Sequence, residues 1–196
     1  VLQLEISKIL VRYEKDITDE RMTVDIHDIV EDPDIDVVVE CIGGDEPAFS
    51  YVKAALFNGK HVVTSNKKML VNHLEELLEL ARTRGVSLKY EAACGGGIPW
   101  MSNLDRTKLI DDIQSFRGIF NGTTNYILSK MSDEGSEFAV ALKEAQACGY
   151  AEFDPSDDID GMDTAYKVVL SSCKGFGVLT NVHDIDIYGI RSISAR

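Results

Sequence analysis

The first half of the chain alternates short, strongly apolar segments with longer segments in which apolar residues recur at helical spacing. Residues 36–44 and 61–65 contain runs of valine, and the first is apolar enough to be a strand buried on both faces. The segment between them begins at Pro47, ends before Gly59 and repeats apolar residues every three or four positions. Its inward residues are expected to be Ala48, Val52, Ala55 and Leu56. This order of strand, helix and strand predicts a parallel sheet, whose ligands gather at the carboxyl ends of the strands.

Two more predicted strands, residues 4–13 and 86–93, extend this pattern. The second strand follows an amphipathic helix over residues 69–84, which Gly85 caps. We therefore expect residues 1–97 to form a Rossmann-like, doubly wound α/β sheet. No G-x-G-x-x-G loop follows a strand near the N-terminus, so we expect this dinucleotide-binding domain to be truncated.

Past residue 97 the pattern changes to helices mixed with alternating segments. Residues 112–120 and 182–193 are predicted as strands, residues 121–126 as the start of a helix, and residues 137–148 as a further helix. We expect residues 98–196 to form an α+β domain that is incomplete at its C-terminal end.

The charge of the chain limits the class of its partners. Its formal net charge is −13 at pH 7, so nucleic acid and anionic membrane surfaces would be repelled. No apolar run approaches the ~20 residues that a membrane-spanning helix needs. A small molecule is the partner that this composition favours.

The cysteines form no C-x-x-C pair and lie far apart in apolar runs, at Cys41, Cys94, Cys148 and Cys173. Such a distribution predicts buried, reduced thiols rather than disulfides or a metal site. A cytoplasmic location is expected from this cysteine usage.

Residues 149–167 combine six carboxylates with a single lysine. Within them Asp163 and Lys167 are spaced to project from one face of a helix, which in isolation usually means a solvated ion pair. Three more carboxylates come just before this helix: Glu152, Asp157 and Asp158. A lysine that faces several acids suits a small substrate with both an ammonium and a hydroxyl group.

A calcium-binding loop is the alternative for this acidic stretch. With Gly161 at the sixth position of an EF-hand loop, Asp158 and Asp160 are placed correctly. Ser156 then stands first, and Lys167 stands twelfth, where the bidentate glutamate belongs. A cation at that position excludes the calcium loop.

The stretch closely resembles the signature of homoserine dehydrogenases, which spaces small residues, an Asp-Pro pair and an Asp-x-x-x-Lys ending at fixed intervals. Every position is filled, by Ala145, Gly149, Tyr150, Ala151, Asp154, Pro155, Asp158, Gly161, Asp163 and Lys167. Residues 59–67, 90–99 and 121–126 also resemble segments of that family.

The resemblance implies NAD(P)-dependent interconversion of L-homoserine and L-aspartate 4-semialdehyde, a step in threonine, methionine and isoleucine biosynthesis. It implies that Lys167 is the catalytic acid or base and that Asp163 orients it. The implied substrate-binding residues are Glu152, Asp158, Asp157, Tyr150, Thr124 and Lys67. A homodimer that pairs through the second domain is implied as well.

The candidate cofactor-binding residues are Arg12, Ile42, Gly43, Gly44 and Lys67. The glycine pair would let a dinucleotide approach the backbone, although it also fits a plain tight turn. Arg12 would pair with the 2′-phosphate of NADP, whereas Glu14 would bind the 2′-hydroxyl of NAD, and both residues also fit as ordinary charges at a strand end. We favour NADP.

The resemblance also implies a monovalent cation, Na⁺ or K⁺, held by backbone carbonyls around the glycine triplet. The positions that carry over are Glu91, Cys94, Gly96 and Ile98. Cys94 and Trp100 depart from the family pattern. Because backbone oxygens bind the cation, Cys94 leaves this site possible, whereas Trp100 leaves the shape of the following helix open.

Two alternatives to this function remain. A dehydrogenase that attacks aspartate semialdehyde through a cysteine is disfavoured, because no cysteine here has a histidine-rich setting. The second alternative is a non-catalytic fragment that folds or dimerises but cannot bind the dinucleotide, since the phosphate loop is missing.

Overall fold

The computed structural model describes residues 3–194 of the chain. The chain falls into two compact units, residues 1–92 and 93–196. The domain boundary predicted after residue 97 stays a prediction. Each unit is described by itself.

The first unit is built on parallel strands, as the alternating pattern predicts. One sheet pairs β1 (Ile9–Leu10) with β2 (Met22–Thr23), and a second sheet has the order β3 (Val37–Glu40), β4 (His61–Thr64), β5 (Leu88–Lys89). All neighbouring strands in both sheets run parallel. The expected α/β class with a Rossmann-like parallel sheet is confirmed.

Three helices connect these strands: α1 (His27–Val30), α2 (Ala48–Phe57) and α3 (Lys67–Arg84). Helix α2 buries the four residues that its periodicity selects, Ala48, Val52, Ala55 and Leu56. The side chain of Asn66 accepts a hydrogen bond from Met69 N at the start of α3, and Gly85 ends that helix with φ of 70°. The capping residues therefore place the carboxyl end of β4 directly before a helix start.

The prediction that residues 36–44 are buried on both faces is wrong. Val37 and Val39 are exposed, the latter at 65%, whereas Glu40 is buried at the end of the same strand. Successive side chains of a strand point to opposite faces, and the buried side chains of α2 and α3 cover only one of them. Within residues 3–194, β3 is therefore covered on one face and exposed on the other, despite its run of valines.

Two predicted strands are much shorter than expected. Residues 4–13 contain only β1, and residues 86–93 contain only β5, followed by a 3₁₀ helix at Glu91–Ala93. A strand persists only where its backbone finds a ladder partner, and β1 pairs only with the two residues of β2. Apolar composition alone overestimates strand length.

The second unit contains helices α4 (Trp100–Lys108), α5 (Gly122–Glu134), α6 (Phe138–Ala147), α7 (Ser156–Ile159) and α8 (Met162–Phe176). A buried apolar cluster joins α5 and α6 to the loops around α7, through Ile127, Met131, Ala141, Ala145, Ala151, Ile159 and Ile190. The helices predicted from residues 121–126 and over residues 137–148 are present as α5 and α6. This cluster supports the segment that carries the predicted acidic residues.

The strands predicted at residues 112–120 and 182–193 are wrong. Neither segment forms a ladder, and the second holds only a 3₁₀ helix at Val182–Asp184. Alternation favours a strand only where a neighbouring strand is present, and none lies in residues 93–194. The rings of Trp100, Phe116, Phe120 and Phe176 form a cluster there instead.

The prediction that all four cysteines are buried is wrong in part. Within residues 3–194 no disulfide joins the four cysteines, and Cys94 is buried and Cys173 half-buried. Cys41 and Cys148 are exposed, because each lies at the end of a regular element rather than within its packed face.

No helix within residues 3–194 combines the length and the apolar character that crossing a bilayer requires.

Candidate active site

The centre of the candidate site is a buried ion pair on helix α8. Lys167 Nζ lies 2.6 Å from Asp163 Oδ2, one turn earlier on the same face of the helix. The two side chains are only 14% and 12% exposed, unlike those of an ordinary surface pair. The predicted shared face is confirmed, and its burial separates this pair from the solvated alternative.

Lys167 has a second partner in the segment before α5. Its Nζ donates a hydrogen bond to the carbonyl of Phe120 at 2.6 Å. An ammonium has three N–H bonds, and a neutral amine has two N–H bonds and a lone pair. Within the described residues the contacts to Asp163 and Phe120 occupy two of these positions. One position of the nitrogen is left for a ligand in either protonation state.

Asn121 links the acidic residues of the site and was missed as a site residue by the sequence analysis. Its Nδ2 donates to Asp158 Oδ1 at 2.6 Å and to Asp163 Oδ2 at 2.9 Å. Its Oδ1 accepts from Thr124 N at 2.8 Å and so caps α5. Because the carboxylates and the amide N–H fix opposite ends, the side chain can adopt only this orientation. The asparagine before the predicted helix start was the available signal.

Gly161 allows the chain to turn from α7 into α8. Its φ is +89°, and a Cβ at this position would come within 2.9 Å of Ile187 Cγ2. Only glycine combines this backbone conformation with such a close approach. The glycine between Asp158 and Asp163 is what lets the two carboxylates reach the same asparagine.

The remaining substrate candidates of the second unit have different contacts. Tyr150 is exposed and stacks on Tyr126, with ring centroids 4.6 Å apart. The hydroxyl of Thr124 donates to the carbonyl of Asn121 at 3.3 Å, so it serves the helix start. Glu152 and Asp157 are exposed.

Cys94 and Trp100, the two residues that depart from the family pattern, both donate hydrogen bonds to α8. Cys94 Sγ donates to the carbonyl of Lys167 at 3.8 Å, and Trp100 Nε1 donates to Ser171 Oγ at 2.8 Å. Ser171 is fully buried. The Trp100 side chain therefore fixes α8 one turn beyond Lys167.

The C-terminal segment is attached to α7 by a bidentate ion pair. Arg191 donates from Nε and Nη2 to the two carboxylate oxygens of Asp160, at 2.5 and 2.7 Å. These hydrogen bonds lower the pKa of Asp160. In the second turn of α8, burial and then the charge of Asp157 raise the pKa of Tyr166 above its ordinary value.

The predicted cation site relies on the backbone of the glycine-rich turn. The carbonyl of Ile98 accepts from Trp100 N at 2.7 Å, and that of Gly95 accepts from Ile98 N at 3.0 Å. A carbonyl oxygen has two lone pairs, so the contact with Trp100 leaves the Ile98 carbonyl able to bind a cation. Within residues 3–194 no cluster of histidine, cysteine, aspartate and glutamate side chains could hold a metal. The set of Glu91, Cys94, Gly96 and Ile98 stays a prediction.

The cofactor candidates in the first unit form a turn at the carboxyl end of β3. Gly43 and Gly44 have φ of 76° and 73°, and a Cβ built on either would meet nothing within 4 Å. The amide of Asn66 donates to the carbonyl of Gly44 at 2.7 Å, which ties this turn to the start of α3. Backbone that is open to close approach at this end of a parallel sheet fits a dinucleotide.

The other cofactor candidates lie at element ends of the same unit. Lys67 is the first residue of α3, directly after Asn66. Arg12 is exposed, and its guanidinium lies 5.2 Å from the centre of the Tyr13 ring. Glu14 begins a 3₁₀ helix and is exposed.

Two family models match this chain. The model described as homoserine dehydrogenase matches residues 99–196, and the model described as the NAD-binding domain of homoserine dehydrogenase matches residues 2–91. A curated homoserine dehydrogenase of Synechocystis sp. is 47% identical over 176 residues, which are 90% of this chain and 41% of that protein. The chain therefore spans less than half the length of this relative.

Solved structures of homoserine dehydrogenases are also similar to this chain. A homoserine dehydrogenase from Thiobacillus denitrificans superimposes with a TM-score of 0.90 at 40% identity, over 96% of this chain and 45% of that one. A hyperthermophilic archaeal homoserine dehydrogenase in complex with NADPH superimposes with a TM-score of 0.77 at 32% identity. It covers 88% of this chain, which corresponds to 53% of the archaeal chain.

Proposed function

The chain belongs to the homoserine dehydrogenase family, and on that premise we propose that it carries the substrate site of an enzyme interconverting L-homoserine and L-aspartate 4-semialdehyde. The observation that carries this proposal is the Lys167 nitrogen, held by Asp163 and by the Phe120 carbonyl with one position left over. The bound nicotinamide cofactor supplies the hydride acceptor for homoserine oxidation and the hydride donor for the reverse reaction.

Lys167 transfers the proton of the homoserine hydroxyl. As a neutral amine it presents a lone pair at its remaining position and accepts the proton of the homoserine hydroxyl. As an ammonium it presents an N–H there and donates a proton to the oxygen of the semialdehyde as that oxygen gains charge. The same fixed nitrogen therefore serves both directions of the reaction.

Asp163 and Asn121 fix the direction of that nitrogen. Asp163 Oδ2 accepts from both Lys167 Nζ and Asn121 Nδ2, so the carboxylate cannot rotate without breaking a buried contact. The half-buried side chain of Asp158 is held by the same asparagine amide. This shared donor keeps the acidic groups at fixed positions before substrate binds, which lowers the cost of ordering the site.

The carboxylates near this centre recognise the amino acid part of the substrate. Asp158 and Glu152 bind the ammonium or hydroxyl of homoserine, and Asp157 adds negative charge at the same edge. Tyr150 and Thr124 are the further substrate-binding residues of the second unit, and Lys67 is the substrate-binding residue of the first unit. A substrate that carries a cationic amine matches this excess of carboxylates.

The cofactor is NADP rather than NAD in this proposal. Ile42, Gly43, Gly44 and Lys67 hold it, and Arg12 pairs with the 2′-phosphate. The open backbone at both glycines and the NADPH bound to the archaeal homoserine dehydrogenase support this assignment.

The wider assignment follows from the same family. We place the enzyme in the cytoplasm, as a homodimer in threonine, methionine and isoleucine biosynthesis. A Na⁺ or K⁺ ion bound by the carbonyls of Glu91, Cys94, Gly96 and Ile98 supports the second unit.

The proposal is tested by two measurements. The whole protein that the gene encodes should form NADPH from NADP⁺ only when L-homoserine is present, as followed at the absorbance of the reduced cofactor. Calorimetric titration of the 196-residue chain with L-homoserine and with NADP⁺ then tests the chain itself. Binding of NADP⁺ would argue against the alternative of a non-catalytic fragment that cannot hold the dinucleotide. Lack of homoserine-dependent turnover in the whole protein would contradict the proposal.

A further inference from the structure

Glu40 is a buried carboxylate beneath the candidate cofactor turn. It ends β3, is only 4% exposed, and is not among the cofactor-binding candidates above. Its Oε1 accepts from Ile42 N at 2.7 Å and from Gly43 N at 3.2 Å, and its Oε2 accepts from the Thr64 hydroxyl at 2.5 Å. The carboxylate therefore anchors the turn from the side of the sheet.

Every contact of Glu40 is made with a donor. An ionised carboxylate accepts only, whereas a protonated one also donates. The contacts with Ile42, Gly43 and Thr64 use both oxygens as acceptors, and within residues 3–194 no lysine, arginine or histidine pairs with this side chain. These contacts suit an ionised carboxylate, and none of the three donors carries a charge of its own.

This arrangement restricts what the turn can bind. Successive backbone N–H groups of a glycine turn often form a concave site for phosphate. Here the N–H groups of Ile42 and Gly43 point to Glu40, and the carbonyl of Gly44 accepts from Asn66. A phosphate at this turn would lack these donors and would lie next to the buried carboxylate of Glu40.

We infer that the turn of Ile42, Gly43 and Gly44 receives the nicotinamide end of the cofactor and that Glu40 favours its oxidised form, an inference that rests on the proposed function. The oxidised nicotinamide ring is cationic, and the reduced ring is neutral. A charge buried in a low-dielectric setting acts strongly on a second charge that lies just beyond one turn of backbone. Glu40 is therefore a specificity-determining residue for the redox state of the bound cofactor.

The test uses the whole protein that the gene encodes and compares affinities rather than turnover. NADPH binding is followed by its fluorescence, and NADP⁺ binding by displacement of NADPH. Replacement of Glu40 by glutamine keeps the size of the side chain and removes its charge. The ratio of the NADPH dissociation constant to the NADP⁺ dissociation constant should fall about tenfold in Glu40→Gln. The exposed Glu46, changed to glutamine as the matched control, should leave this ratio unchanged.

A second measurement does not depend on the folding of this variant. Oxidised nicotinamide mononucleotide should displace NADPH from the unmodified protein at several-fold lower concentration than its reduced form does. Equal ratios in Glu40→Gln and the unmodified protein, or equal displacement by the two mononucleotides, would overturn the inference and leave the proposed function standing. Failure of the unmodified protein to bind either dinucleotide would overturn both.

Discussion

Lys167 Nζ and Asp163 Oδ2 are 2.6 Å apart inside the second unit, where neither side chain is more than 14% exposed. A buried ion pair gains little stability over apolar side chains of the same size, because both charges lose hydration. Removal of one partner lowers the stability of the fold, because the other charge stays buried without its counter-ion. Under the proposed function, this pair holds the Lys167 nitrogen in place for proton transfer.

Replacement of Asp163 by asparagine tests the negative charge of this side chain separately from its hydrogen bonds. In Asp163→Asn the amide oxygen can take the place of Oδ2 and still accept from both Lys167 and Asn121, whereas the negative charge of the carboxylate is lost. We expect kcat to fall about 100-fold with KM for homoserine changed little, because substrate contacts stay in place. Steady-state kinetics check this. Asp133→Asn on the exposed face of α5 is the control and should match the unmodified protein.

Asn121 combines a helix cap with the donor that joins two carboxylates. Asn121→Ser keeps an N-cap side chain but removes Nδ2 and both of its hydrogen bonds to carboxylates, so stability in urea should drop by about 1–3 kcal/mol while KM for homoserine rises. Asn121→Ala should lose the cap as well, for about 1–2 kcal/mol. Asn125→Ala, four positions later and exposed, should change neither quantity. Equal kinetic behaviour of Asn121→Ser and the unmodified protein would mean that the amide does not organise the site.

The contact of Trp100 Nε1 with Ser171 Oγ should be measurable in a double-mutant cycle. Trp100→Phe leaves a fully buried hydroxyl without its donor, and Ser171→Ala leaves the indole N–H without its acceptor. Each change should cost about 1–3 kcal/mol of unfolding free energy, and the double change less than the sum. Urea unfolding gives these values. Additive losses would mean that this hydrogen bond does not hold α8, and Ser172→Ala on the same helix is the control.

The ion pair of Arg191 with Asp160 gives a pH dependence of known sign. Arg191 lowers the pKa of Asp160 in the folded state, so the pair stabilises the fold above the ordinary aspartate value, about 3.9. That stability is lost as the pH falls through the lowered value. The denaturation midpoint of Arg191→Ala should therefore lie below that of the unmodified protein at pH 6, and the gap should shrink at pH 3. Arg117→Ala, an exposed arginine, should show a gap that does not change with pH.

The sequence predicts what short-range spacing determines. The inward face of α2 and the shared face of Asp163 and Lys167 follow from helical periodicity, because residues three and four apart always meet on a helix. A helix start within residues 121–126 is predicted as well, although the capping role of Asn121 is not.

The sequence fails where a segment depends on partners far along the chain. The stretch at residues 112–120 alternates like a strand, yet it has no ladder partner within residues 3–194. The anchoring of Gly43 by Glu40 and the bridging of Asp158 and Asp163 by Asn121 join residues from separate elements. Spacing along the chain contains no information on which polar side chains will meet in this way.

The most direct test of the account is the turnover of Lys167→Met in the whole protein. Methionine keeps the length of the side chain and removes the nitrogen, so kcat should fall by about 100- to 10,000-fold while the NADPH dissociation constant stays within about twofold. Lys174→Met, which removes a lysine from the same helix, should keep the kcat of the unmodified protein. If Lys167→Met folds and turns over homoserine as fast as Lys174→Met, the assignment of Lys167 as the proton-transfer residue is contradicted.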